Sequence, residues 1–182
     1  NGIRLVDELE RIGYLGGELC VPRPLRAYLE LHIEQGPFLE EEGLSVGVVE
    51  GIVGIAWSRL TLSGVQDHAG PTPMRIRHDA LLAAADVVRA VRAIPGQLSA
   101  QMVATVGRLE VSPNITNAIP GQVLLSVDIR DPEDEQLTRA LELLTQAVKD
   151  AAAREGVSHE LEHYWRVPPT PFHPEVVDAV ER

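Results

Sequence analysis

From about residue 46 onward the apolar positions recur with a period that switches between two and three-to-four, so strands and helices are expected in turn. Ile55 to Leu62 alternates after Gly54, with Leu60 and Leu62 on one face, which predicts a first strand. Residues 76–93 carry Leu81, Ala84, Ala85, Val88 and Val91 on one helical stripe. Met102 to Val111 predicts a second strand, and Val123, Leu125, Val127 and Ile129 mark the inward face of a third. Asp131 and Pro132 introduce a second helix with Leu137, Leu141, Leu144 and Val148 as its stripe. Residues 158–165 supply a fourth strand on which Leu161 and Trp165 are expected to point one way.

The order β-α-β-β-α-β is the split βαβ arrangement of ferredoxin-like domains, an α+β fold. Two helices then cover one face of a four-stranded antiparallel sheet and leave the other face free. The strand near 101–111 is the expected open edge, and its pairing across a two-fold axis would make a homodimer.

The flanks read differently. Leu5, Leu9 and Ile12 suit one face of a short helix ending near Gly13; Gly16-Gly17 and Pro22-Arg23-Pro24 suit a loop. Ala27 to Ile33 suits a strand ending at His32. Pro37 suits the first position of a helix through Glu42 that Gly43 stops. Pro168, Pro169 and Pro171 mark a return linker before a last helix in 172–182. The expected division is 1–47, 48–166 and 167–182, a whole small domain between two pieces of another.

Composition narrows the function. Sixteen basic against 27 acidic residues give a net charge of −11, which argues against nucleic acid or an anionic membrane as partner. The lone Cys20 cannot form an internal disulfide, and no apolar run reaches the ~20 residues that span a bilayer. Asn1-Gly2-Ile3-Arg4 has neither an initiator Met nor a leader-like apolar run. A cytoplasmic protein, cut from something longer, is the expectation.

Three groups of residues could carry chemistry. His32 sits in Leu31-His32-Ile33-Glu34-Gln35-Gly36-Pro37, where an imidazole beside a tight turn offers a metal ligand or a hydrogen-bonded structural group. His68 sits in Asp67-His68-Ala69-Gly70-Pro71-Thr72-Pro73-Met74, whose small residues allow close approach to the ring. Thr72 could cap the next helix with Pro73 at its first position, and Asp67 could orient the ring or be a solvated acid. Asn114, Asn117 and Arg130 form the third group. An amide and a guanidinium are suited to a substrate carboxylate, but the residues alone favour asparagines that satisfy turn backbone and an ion pair of Arg130 with Asp128 or Asp131. Gly51-Ile52-Val53-Gly54 lacks the third glycine of a nucleotide loop and reads as a hinge.

These strings resemble the amidase branch of the M20 metallopeptidase-like superfamily: N-carbamoyl-L-amino acid hydrolases, allantoate amidohydrolases and β-ureidopropionases. Glu30 to Pro37, Gly51 to Gly54, Asp67 to Gly70, Thr72 to Met74, Pro113 to Asn117 and Asp128 to Arg130 fall in that family's order across nearly the whole chain. The resemblance implies an α/β dimetal catalytic domain, of which 1–47 and 167–182 would be flanking fragments, interrupted by a lid or dimerisation domain. It implies that His32 is one ligand of a pair of divalent metals (zinc, manganese, cobalt or nickel). It also implies that His68 is a catalytic donor to a developing oxyanion, that Asn117 and Arg130 hold a substrate carboxylate, and that Gln35 is a nearby polar contact. The reaction implied is hydrolysis of a ureido or amidino C–N bond in a small carboxylate-bearing substrate. These 182 residues carry at most one metal ligand, so the chain alone is expected to hold no metal stably and to be inactive. Two other readings stay open: a non-enzymatic dimerisation or ligand-binding module, and a peptidase or aminoacylase of the same superfamily.

Overall fold

Strict alternation along the third predicted strand decides where the core lies. In the computed structural model, which describes residues 2–18, 21, 22 and 24–182, this strand spans Gln122–Asp131 and buries Val123, Leu125, Val127 and Ile129 completely. Cys20 and Arg23, on which parts of the reading above rest, lie outside the described residues. The chain divides into two compact units, Asn1–Val46 and Gly47–Arg182.

In the second unit the elements run, in chain order, β1 (Gly51–Ile52), β2 (Gly54–Ser63), β3 (Asp67–His68), α3 (Ala80–Ala93), α4 (Pro95–Leu98), β4 (Val103–Ser112), β5 (Ala118–Ile119), β6 (Gln122–Asp131), α5 (Asp134–Glu155), β7 (Ser158–Val167), β8 (Thr170–Pro171) and α6 (Pro174–Glu181). The first unit holds α1 (Leu5–Arg11) and α2 (Phe38–Glu41). The main sheet is antiparallel throughout, in the order β4-β6-β2-β7, so β4 and β7 are its edges. Ala56, Ser58, Leu60 and Leu62 of β2 face inward beside the buried residues of β6. Helix α5 lays Leu137, Leu144 and Val148 onto that face. Each such side chain contributes about 1.5–3 kcal/mol by leaving water.

Helix α3 differs from its expected form in both start and face. Asp79 caps it, its carboxylate accepting from the N–H groups of Leu81 and Leu82 at 2.9 and 3.2 Å, so the helix begins at Ala80 rather than near 76. Its buried stripe is Ala80, Ala83, Ala84, Val87 and Val91, while Leu81 and Leu82 remain partly in solvent. Small residues let the helix sit close to α5, and the larger leucines turn away. Thr72 caps no helix: its hydroxyl donates to the His68 carbonyl at 2.7 Å.

Leu161 and Trp165 lie on opposite faces, contrary to expectation. The register between β2 and β7 shifts between Trp57 and Ser58, so Leu161 pairs with buried Leu60 but Trp165 pairs with Trp57 on the helix-free face. The extra residue of that bulge inverts the alternation beyond it. The rings of Trp57 and Trp165 are 4.4 Å apart there.

The return linker is itself paired. β8 runs antiparallel to β1, with Gly51 opposite Pro171, and the Phe172 N–H donates to the Glu50 carbonyl at 2.8 Å.

In the first unit no described residue is buried, and Leu31 is 99% exposed. Ala27 to Ile33 forms no strand, because among the described residues nothing pairs with it. Helix α2 is a single turn with Pro37 as its N-cap and Glu42 as its C-cap, followed by Gly43, whose φ of +67° suits glycine. No helix among the described residues is long and apolar enough to cross a membrane.

Candidate functional site

The local chemistry of Asp67 to Arg77 sets the pose of His68. Asp67 spends its carboxylate on the His68 backbone N–H, at 2.7 Å, and so fixes the main chain rather than the ring. The Gly70 N–H donates to His68 Nδ1 at 3.0 Å. A nitrogen that accepts cannot carry the proton, so the neutral ring bears its hydrogen on Nε2. The ring lies over Gly70, where a Cβ would come within 3.2 Å of His68 Cε1. His68 is therefore an exposed, outward N–H donor on a braced turn. Arg77, absent from the sequence-level candidates, ties the turn from behind with hydrogen bonds to the Ala69 and Thr72 carbonyls. Its only signal in the sequence is an arginine a few residues beyond a Gly-Pro-Thr-Pro turn, which is too common to single out.

β3 pairs with β5, so His68 stands opposite Ala118, and the Ala69 N–H donates to the Asn117 carbonyl at 2.9 Å. Two of the expected site residues, His68 and Asn117, thus share one exposed corner. Asn114 in the same loop adopts φ +56°, a conformation that asparagine tolerates better than most residues.

Arg130 is elsewhere. It lies on β6 opposite Ile55 and Val103, eight residues from Gln122, at whose end of the sheet the His68 corner leaves. Along a strand that is roughly 26 Å. Within one chain Asn117 and Arg130 are therefore not adjacent. Arg130 Nε and Nη2 donate to Asp128, at 3.1 and 2.8 Å, on the helix-free face. That hydrogen bond raises the guanidinium pKa further above its ordinary value. The ion pair allowed by the sequence is present, and it engages Nε and Nη2 of Arg130.

His32 is exposed, with Nδ1 2.5 Å from the Ile33 carbonyl oxygen. A carbonyl only accepts, so Nδ1 carries the proton and the Nε2 lone pair is the one free for a metal. Glu34 accepts from the Phe38 and Leu39 N–H groups and so begins α2. Gln35 takes φ +56° at the turn between them. No group of three His, Cys, Asp or Glu side chains that could hold a metal ion occurs among the described residues. One imidazole among the described residues fits a metal ligand.

Of the remaining histidines, His163 hydrogen-bonds through Nδ1 with the buried Ser58 hydroxyl at 2.7 Å, and burial lowers its pKa. His78 Nδ1 lies 3.2 Å from the Glu155 carbonyl, at the end of α5.

Comparison with known proteins bears on this arrangement. Residues 51–156 match the family model of the peptidase dimerisation domain of M20 proteins. The chain belongs to that M20 family. Its relatives are of the amidase kind: the N-carbamoyl-L-amino-acid amidohydrolase of Paenarthrobacter aurescens is 42% identical over 86% of this chain and 38% of its own length. Allantoate deiminase 1 of Glycine max is 34% identical over 78% of this chain and 33% of its own. The solved hydantoinase/carbamoylase family amidase of Burkholderia vietnamiensis superposes with a TM-score of 0.85 at 43% identity, covering 96% of this chain and 42% of that one. The M20 chain spans between about a third and two fifths of the length of these relatives.

Proposed function

We propose that this M20 chain is the ferredoxin-like lid and dimerisation part, with flanking catalytic pieces, of an amidohydrolase that cleaves a linear ureido or amidino C–N bond. The observation that carries this reading is the pairing of β3 with β5, which joins an outward His68 Nε2–H to Asn117. The names of the relatives point the same way. A preorganised donor at a developing oxyanion is typically worth 10²–10³ in rate, about 3–4 kcal/mol. His68 takes that role, Asn117 and Arg130 hold the substrate carboxylate, and Gln35 lies nearby as a polar contact. In the whole protein His32 supplies one ligand to a pair of divalent metals, which polarise the water and the scissile group when bound.

The separation of Asn117 from Arg130 supports a two-chain site. β4 is an open edge, with Val103 beside Arg130 at one end and Ser112 near the His68 corner at the other. Antiparallel pairing of β4 with β4 of a second copy lays one copy's Ser112 end against the other's Val103 end. His68 and Asn117 of one protomer then approach Arg130 of its partner, and a homodimer is the functional unit.

The test is hydrolysis of N-carbamoyl amino acids, allantoate and ureidopropionate by the protein of full family length, with and without chelation and re-addition of each metal. Metal-dependent turnover of one of these is expected, together with a loss of about 100-fold in kcat for His68→Gln. Turnover of none of them sinks the reading, as does turnover that survives chelation. The 182-residue chain alone is expected to be inactive.

A further inference from the structure

We propose that Arg77 is a positioning residue: by bridging the carbonyls of Ala69 and Thr72 it keeps the His68 imidazole fixed as an outward Nε2–H donor. Its catalytic consequence rests on the reading of His68 given above; its effect on the ring does not. The Thr72 hydroxyl and N–H close the turn onto the His68 carbonyl, at 2.7 and 3.4 Å, and Arg77 is the side chain that holds the Ala69 and Thr72 carbonyls. Residues 69–72 include a glycine, the His68 ring is exposed, and one hydrogen bond from Gly70 sets the ring's tautomer. Arg77 Nη2 donates to Ala69 O at 2.7 Å and to Thr72 O at 2.9 Å, and Nε donates to Thr72 O at 3.1 Å. A planar guanidinium reaches both carbonyls in one pose, which a lysine ammonium on a flexible stem cannot reproduce.

The consequence for His68 follows along the chain. Ala69 is held through its N–H by Asn117 and through its carbonyl by Arg77, so the peptide plane on each side of it is fixed. The next N–H, that of Gly70, is thereby aimed at His68 Nδ1. Arg77 itself stands on a firm base. The His78 carbonyl accepts from Val65 at 2.9 Å, and Asp79 caps α3 immediately afterwards. The arginine thus transmits the rigidity of the helical layer to an exposed turn.

Nitrogen-15 spectra of the His68 ring in the 182-residue chain test this, with His68→Gln to assign the signals. In the parent, Nδ1 is expected at the unprotonated position and Nε2 at the protonated one above the ring's titration range. In Arg77→Gln the two signals are expected to move toward each other as the tautomers mix, and Arg77→Lys should restore the separation only partly. A His68 spectrum unchanged in Arg77→Gln overturns the proposal, and so does full restoration by lysine, since charge alone would then suffice. Loss of the far-ultraviolet dichroism of Arg77→Gln also overturns it, because the arginine would then serve the fold.

In the full-length protein Arg77→Gln is expected to lower kcat about 30-fold with KM changed less than about twofold, the pattern of a lost transition-state contact. A rise in KM at unchanged kcat counts against the proposal. If His68→Gln leaves kcat unaltered, it is the role of His68 that fails, and the spectra still decide on Arg77.

Discussion

At the scale of single residues, hydrogen-bond direction carries most of the functional argument. A backbone N–H aimed at His68 Nδ1 and a carbonyl against His32 Nδ1 give the two rings opposite tautomers: one becomes an N–H donor, the other a lone-pair donor. His163 is a third case, with a consequence for stability. Thr145 Oγ1 donates to Leu141 O at 2.8 Å and lies 3.4 Å from His163 Nε2, while Ser58 Oγ lies 2.7 Å from Nδ1. A neutral ring with its hydrogen on Nε2 fits this chain of bonds, and burial disfavours the imidazolium. Glu142 and Lys149 of α5 and Arg166 of β7 line the same groove. Because the folded pKa is depressed, the contribution of His163 is complete above its unfolded value of about 6.5 and is lost as pH falls through the lower folded value. The thermal midpoint is therefore expected to drop between pH 7.5 and 5.5, and by less in His163→Gln; equal drops in both would refute the assignment.

At the scale of elements, what could be read from the sequence depended on contrast. Val123, Leu125, Val127 and Ile129 alternate with polar neighbours, and Leu137, Leu144 and Val148 stand out on a charged helix, so both elements follow directly from the pattern. The Ala-rich helix α3 presents apolar residues on several faces, and the close packing that chooses Ala80, Ala83 and Ala84 over Leu81 and Leu82 is tertiary. A bulge between β2 and β7 leaves no mark in the alternation, and Ala27 to Ile33 has the composition of a strand without a partner. The candidate site was legible as a series of motifs along the chain. The separation of Asn117 from Arg130 was not, because it depends on where a loop leaves the sheet. β4 is an edge strand, and its Leu109 is 44% exposed. Leu109→Lys is expected to convert the proposed dimer to a folded monomer, since a charge on an open edge opposes strand addition. Sedimentation would reveal this, and an unaltered dimer would move the interface elsewhere.

At the scale of the whole molecule, the β1–β8 ribbon governs how the sheet domain is attached. A Cβ on Gly51 would meet the Thr170 carbonyl oxygen at 2.9 Å and Pro171 Cα at 3.1 Å, both backbone atoms that cannot swing aside. Gly51→Val is therefore expected to part the ribbon while leaving the core of β2, β6 and α5 intact. Faster proteolysis near residues 48–53 and 168–173, with a thermal midpoint changed by no more than about 2 °C, would show it. Cleavage at the parental rate would mean that the ribbon tolerates the side chain. Because β1 and β8 lie side by side, everything between Ile52 and Thr170 forms a segment whose two ends meet at a single port. A host fold could gain, lose or exchange such a segment by closing a gap one strand-pair wide, and grafting this one between neighbouring strands of an unrelated scaffold should leave both partners able to fold.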